Sequence, residues 1–502
     1  MQSRSGKLLA NSFFSVLTWL IPIILGLIAT PFVLKSLGAE SYGVYLVILG
    51  FIGYSFTFNI ARSVAKYVAE YRGSGSVDKI NSAISAAFWL NLSLGIFGAI
   101  VIALSAEWLI RDVLQISEQY QKAATFALIV GGISIPVTLV GQVFQSILQG
   151  EQSFGVLSLV ANLGSFLINA GNITLAVMGY GIDTLIVWML VVTTLLAALY
   201  FVASRRSASD LGVSFGASRE MLRPVLVYGS SIYVYQLCGS LLLLFERSLV
   251  IRKFGGEAAS WYIVPMTLAI YFHGFMSSLL LAVFPMMNEL LGDKGRLAML
   301  YEKSTKVLIA LMVPFLVTAF FGGRMFLALW IDDKFAENAY WLFVLHAATF
   351  SAMVLLIAPW QLNETFNKPA INAWITSLSS SIAIVLMLVT VDRWHEEGVA
   401  ASRLIGVALT LPVIIYSERR FLSSNGVKGL VLAAIRVLPA AVVLVMAEYA
   451  LFLLVKPGWI SLIIVTFVCT LAYAGMLLLT KFISADEKVI LLNALRAKRI
   501  TV

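Results

Sequence analysis

Glu246 and Arg247 stand side by side inside a long apolar run, six and seven positions before Lys253. On a helix rising 1.5 Å per residue, that places them about 10 Å inward from Lys253. A charge at mid-bilayer costs roughly 2.5–3.5 kcal/mol on insertion scales, so such residues face water or a partner. Adjacent helical residues point about 100° apart, so these two do not simply pair with each other. A guanidinium there suits a phosphate, which it can fork bidentately. A carboxylate there suits an ion or a proton, so Glu246 is a candidate for ion coupling and Arg247 for substrate binding. The competing reading is that both snorkel to the outer interface.

Other polar residues interrupt apolar runs at helical spacings. Asn59, Arg62, Lys66 and Glu70 fall three and four apart and share one face. Arg62 and Lys66 suit an anionic headgroup arriving from the cytoplasmic side, or serve as ordinary interfacial anchors. Gln142, Gln145 and Gln149 form one amide stripe, and Asn162 and Asn169 another. Amides offer donors and acceptors to sugar hydroxyls, and they also glue membrane helices together. His273 and His346 titrate near neutrality if solvated, and His273 is the second ion-coupling candidate. Arg403 and Arg436 rank lower because both lie near helix ends. Cys238 and Cys469 have no metal-ligand spacing and read as small core residues. Pro22, Pro136, Pro265 and Pro314 interrupt spans, where they free carbonyls or act as hinges.

The elements that position these residues are membrane helices. The chain is 60% apolar and 12% charged, against about 25% charged for soluble domains. Spanning takes roughly 20 apolar residues. Fourteen such runs are predicted, near 9–34, 43–61, 83–106, 124–147, 155–177, 182–203, 225–250, 259–286, 305–329, 339–361, 370–391, 399–416, 428–453 and 459–480. The fold class is all-α and polytopic, since barrel strands would alternate over about ten residues. The first run has no small-residue cleavage site behind it and is expected to stay as a helix.

Lys and Arg crowd into alternate loops. Twenty-three, among them Arg62, Lys79, Arg205, Lys294, Lys368 and Arg419, fall on one side, and nine, among them Lys35, Arg111, Lys253 and Lys456, on the other. The bias predicts both termini in the cytoplasm. It also accounts for the net charge of +9 through anionic lipid, without nucleic acid. Loops are short, and no nucleotide, zinc or nucleophile-elbow motif occurs, so no enzyme, cofactor or metal site is expected.

One pattern occurs twice. KSLGAESYGVY (residues 35–45) and RKFGGEAASWY (252–262) match at a single offset, pairing Lys35 with Arg252, Gly38 with Gly255, Glu40 with Glu257 and Tyr45 with Tyr262. Tyr54 and Tyr271 share that offset. Glu70 and Gly73 match Glu289 and Gly292, and Gln145 matches Gln361, within two residues of it. Six spans thus recur in the same orientation, which predicts a pseudo-two-fold axis along the membrane normal. The expected domains are a six-helix lobe at 1–204, a cytoplasmic linker at 205–224, a second lobe at 225–420, and an appended helix pair with its tail at 421–502.

The stretch ATPFVLKSLGAESYGVYLVILGFIGY, then ARSVAKYVAEYRG, resembles the N-terminal part of the Wzx-type polysaccharide flippases. These belong to the multidrug/oligosaccharidyl-lipid/polysaccharide exporter superfamily. ERSLVIRKFGGEAASWYIV and FPMMNELLGDKG resemble that family's seventh and eighth spans. Family members often have Asp-Leu-Gly where this chain has Asn59-Ile60-Ala61, which weakens any carboxylate role there. They often begin the span-seven pair with Asp where this chain has Glu246, which keeps the charge and lengthens the arm.

The resemblance implies a flippase in a bacterial inner membrane. It would move undecaprenyl-diphosphate-linked oligosaccharide from the cytoplasmic to the periplasmic leaflet by alternating access, driven by an ion gradient. Arg247, Arg62, Lys66, Gln142, Gln145, Asn162 and Asn59 are its candidate substrate-binding residues. Its expected partners are the lipid-linked substrate, membrane lipids, a polysaccharide polymerase and a chain-length regulator. The alternative is a cation-coupled multidrug or metabolite antiporter of the same superfamily, which usually has twelve spans. A membrane-embedded polymerase or glycosyltransferase fits poorly, because such enzymes carry a large periplasmic loop.

Overall fold

A computed structural model describes residues 4–55, 61–72, 76–214, 219–280, 283–422, 426–480 and 482. Every regular element among them is helical. In chain order they are α1 (Arg4–Leu37), α2 (Ala39–Tyr54), α3 (Ala61–Arg72), α4 (Val77–Trp108), α5 (Glu118–Gly150), α6 (Phe154–Val177), α7 (Ile182–Ser207), α8 (Arg219–Leu279) and α9 (Val283–Glu289). They continue as α10 (Lys294–Phe321), α11 (Gly323–Trp330), α12 (Asp333–Leu355), α13 (Ile357–Thr365), α14 (Pro369–Ala408), α15 (Val413–Phe421), α16 (Gly426–Leu454) and α17 (Trp459–Leu479). A single π-helical turn, Leu109–Val113, extends α4.

Among the described residues, eleven stretches are long and apolar enough to cross a membrane, and two of these are hairpins. A straight α8 would hold Glu246 and Tyr262 about 24 Å apart. Instead, the Tyr262 hydroxyl lies 3.5 Å from Glu246 Oε2, because the chain breaks at Gly255. A straight α14 would separate Thr390 from Ser402 by about 18 Å, yet their hydroxyls are 2.9 Å apart. Trp394 and His395, both non-helical, make that turn. Counting both arms of each hairpin and adding the shorter apolar helix α2 gives the fourteen expected spans.

Some expected runs are broken. The run at 339–361 divides into α12 and α13 because Pro359 has no N–H to give the Leu355 carbonyl, where α12 stops. The run at 305–329 divides at the Gly322-Gly323 pair into α10 and α11. Pro22, Pro136 and Pro314 stay within helices.

Large apolar side chains such as Leu104, Trp374, Leu454 and Ile460 are mostly exposed. In water a surface of this kind would aggregate; facing acyl chains it is ordinary. Helix association in lipid rests on close packing and small residues. Gly95 provides an instance: a Cβ there would meet the Pro136 backbone at 2.4 Å, so α4 and α5 touch along their main chains.

Two compact units emerge, Met1–Val264 with Thr376–Ser402, and Pro265–Ile375 with Arg403–Val502. In the first, Val64, Ile84, Phe144, Leu148 and Tyr200 join α3, α4, α5 and α7 in one buried cluster. In the second, Met276, Leu297, Leu308, Leu362 and Phe421 form one cluster, and Ala440, Leu444, Val465, Cys469 and Tyr473 form another between α16 and α17.

Candidate substrate and ion site

The two copies of the repeated motif meet each other in the first unit. Gly38 (φ 78, ψ 154) separates α1 from α2, and Gly255 (φ 86, ψ −177) breaks α8. Both occupy backbone space essentially reserved for glycine. Beyond each turn the chains press together. A Cβ on Gly43 would fall 1.7 Å from the Gly256 carbonyl oxygen, and a Cβ on Gly256 would fall 2.4 Å from the Glu40 carbonyl oxygen. The Glu40 carboxylate accepts hydrogen bonds from Ser117 Oγ (2.6 Å) and Gln119 Nε2 (3.2 Å).

Arg247 lies on the inward side of this contact. It is 5% exposed, and α2 supplies its surroundings. Its Nη1 donates to the Leu46 carbonyl at 3.3 Å, and its guanidinium carbon sits 5.0 Å from the centre of the Tyr54 ring. Gly50 makes room for it, since a Cβ there would lie 2.9 Å from Nη1. Glu246 is fully buried and takes its hydrogen bond from Tyr262, on the other arm of α8. Tyr45, the repeat counterpart of Tyr262, accepts from Asn172 Nδ2 at 3.1 Å. The structure thus gathers Glu246, Arg247 and the motif residues Tyr54 and Tyr262 into one buried neighbourhood holding both signs of charge.

The other candidates are distributed more widely. Lys66 on α3 is exposed, with its ammonium 5.2 Å from the Tyr67 ring. Arg62 begins that helix, its side chain lying outside the described atoms, and Asn59 lies outside the described residues. Gln142 and Gln145 are half-buried on α5. Asn162 on α6 donates to Ser158 Oγ at 3.1 Å, and its carbonyl oxygen is buried without a partner among the described residues.

His273 belongs to the second unit, its ring 6.1 Å from Phe350. The Arg403 guanidinium lies over that same Phe350 ring at 4.9 Å and reaches Met266 Sδ at 3.7 Å. Arg403 is 5% exposed, although its place in the sequence looked like a helix end. Sequence reading passed over two buried acids, Glu418 on α15 and Glu448 on α16. For Glu448 the apolar run around it is itself the signal for such a site.

No group of three or more His, Cys, Asp or Glu side chains suited to a metal occurs among the described residues. Arg247 is thus a buried cation with an aromatic face and a carbonyl beside it, and the hydrogen-bonded acid Glu246 precedes it in the chain.

Comparisons with known proteins place the chain in a family and give its fold relatives. A profile of the family described as "Polysaccharide biosynthesis protein" matches residues 75–339, more than half of the chain. The chain belongs to this family. It is 21% identical over 414 residues to the "Putative O-antigen transporter" of Shigella flexneri, covering 80% of this chain and 96% of that one. Among solved structures, the lipid II flippase MurJ in an inward closed conformation superposes with TM-score 0.70 at 14% identity, covering 92% of this chain and 98% of that one. An inward-facing multidrug resistance transporter of the MATE family and MOP superfamily superposes with TM-score 0.66 at 16% identity, covering 81% of this chain and 98% of that one. The fold is therefore that of these MOP-superfamily structures, carried here by a member of the polysaccharide biosynthesis family with many helices long and apolar enough to cross a membrane.

Proposed function

We propose that the protein flips undecaprenyl-diphosphate-linked oligosaccharide repeat units from the cytoplasmic to the periplasmic leaflet of a bacterial inner membrane. The observation that carries this reading is the family match, together with a curated relative named for O-antigen transport over nearly its whole length. The chemistry of the site supports it. In this reading the headgroup phosphates meet the Arg247 guanidinium, and the sugars meet the amides of Gln142, Gln145 and Asn162. Arg62, Lys66 and Asn59 serve headgroup entry from the cytoplasmic side. The lobes at 1–204 and 225–420 rock about the contact between the repeated motifs, which seals the outer side when Gly43 and Gly256 touch. Glu246 or His273 couples the motion to an ion gradient. Both termini face the cytoplasm.

Deleting the gene tests this. The expected result is lipid-linked repeat units trapped in the cytoplasmic leaflet and loss of surface polysaccharide, both restored by the wild-type gene. The likeness to MATE transporters favours a second reading, a cation-coupled antiporter of small molecules. A deletant with intact surface polysaccharide and new sensitivity to cationic dyes selects that reading and rejects the first.

A further inference from the structure

Glu448 is an acid that the proposed mechanism leaves out. It lies on α16, in the helix pair beyond the duplicated spans, and it is fully buried. Its Oε1 accepts from Thr318 Oγ1 of α10 at 2.7 Å. Its Oε2 is buried with no hydrogen-bond partner among the described residues.

Among the described residues, the surrounding elements bring no cation to it. Along α10 the last charged residue is Lys306, twelve positions and about 18 Å before Thr318. No residue of α17 is charged, and its titratable groups are Cys469, within electrostatic range of Glu448, and Tyr473. On α16 itself, Lys428 and Arg436 lie about 30 and 18 Å back along the axis, and Tyr449 is exposed. The charges of α15, Glu418, Arg419 and Arg420, precede the far end of α16. Beyond the near end, Arg324 and Lys456 are exposed.

A buried carboxylate without a counter-charge costs several kcal/mol, and such groups take up a proton instead. A hard metal cation would want about six oxygen ligands, and here one carboxylate and one hydroxyl converge. The ligand that fits is a proton.

We propose that Glu448 is a proton-binding site of the transporter. It is the neutral acid in the conformation described here, with the proton on Oε2 and the Thr318 hydroxyl on Oε1. During the cycle the Oε2–H bond breaks, the proton passes to water, and the carboxylate later takes one back from water on the opposite side. Only the coupling half of this proposal rests on the flippase reading.

Infrared spectra of the full-length protein in lipid vesicles test the site directly. At neutral pH the wild type is expected to show a protonated-carboxyl carbonyl band that E448Q lacks, with equal thermal unfolding of the two. T318V is expected to keep the acid and move its band to higher frequency, because the carbonyl loses a donor. Spectra of wild type and E448Q with no such difference overturn the site, and if E448Q fails to fold, an unmoved band in T318V does so.

Vesicles holding lipid-linked oligosaccharide under an imposed pH gradient test the coupling. The gradient should raise wild-type flipping several-fold and leave E448Q unstimulated, whereas equal stimulation of both overturns the role. If the wild type flips no lipid-linked oligosaccharide at all, the flippase reading fails while the infrared result still decides the proton site.

Discussion

Gly43 and Gly256 touch backbone to backbone: a Cβ on Gly43 would stand 1.7 Å from the Gly256 carbonyl oxygen and 2.9 Å from the Ser260 nitrogen. Neither obstacle is a flexible side chain, so any larger residue must push α2 and α8 apart by roughly 1.5–2 Å to reach ordinary contact. Overpacking of this kind costs about 1–3 kcal/mol, equivalent to about 5- to 150-fold in a two-state equilibrium. Gly43→Ala is therefore expected to favour separation of the two motifs and to lower polysaccharide export at unchanged protein level. A single cysteine placed at Ala39, with Cys238 and Cys469 replaced, should react faster with an impermeant thiol reagent in the Gly43→Ala protein. Unchanged labelling and export would mean that this contact is not the outer seal.

Gly38 and Gly255 make a different demand. Both have open space around the missing Cβ, so a substitution there meets no clash and tests the backbone alone. Their φ of 78 and 86 with extended ψ costs other residues about 1–3 kcal/mol. Alanine at either position is expected to lower thermal stability by similar amounts, read by unfolding of the purified protein. Asparagine should give no rescue, since it favours a different ψ. A neutral Gly255→Ala protein would contradict the turn geometry.

The Arg247 guanidinium lies against the Tyr54 ring and donates to the Leu46 carbonyl. Arg247→Ala should abolish export while protein level holds, and Arg247→Lys should fall well below wild type, because an ammonium lacks the planar fork. Tyr54→Phe keeps the ring and is expected to retain export. Tyr54→Leu removes a contact of about 0.5–2 kcal/mol, so export should drop by roughly 2- to 30-fold. Full activity in Arg247→Ala would remove this residue from the substrate path.

Asn363 ties three elements of the second unit together. Its Nδ2 donates to Asn372 Oδ1 (2.9 Å), and its Oδ1 accepts from Ser417 Oγ (2.8 Å). Asn372 donates in turn to the Trp360 carbonyl. Asn363→Leu would remove two buried hydrogen bonds, leaving the Ser417 hydroxyl without its Asn363 partner at about 1–3 kcal/mol. The expected outcome is a clear fall in unfolding temperature, greater than for Asn338→Leu, whose exposed side chain bonds only its own helix.

The fourteen spans were legible because lipid imposes long continuous apolar runs, a signal no soluble core produces at that length. The repeated glycine turns were legible for a related reason, since only one residue type tolerates their backbone. What stayed hidden depended on partners distant in the chain. The mutual contact of Gly43 and Gly256 cannot be seen from either motif alone. Arg403 sat near a predicted helix end, and its burial follows from Phe350 and Met266 arriving from elsewhere. Glu418 was masked by the arginines beside it, whereas Glu448, a lone acid in an apolar run, was readable in principle. The α12–α13 break was readable in principle from Pro359.

The bond between Thr318 and Glu448 joins residues 130 positions apart, and it has a consequence for biogenesis. Translation proceeds from the N-terminus, so the hydroxyl emerges from the ribosome well before the acid that needs it. When α16 reaches the insertion machinery, α10 is already available as a docking strip, and the late helix can settle its buried acid at once.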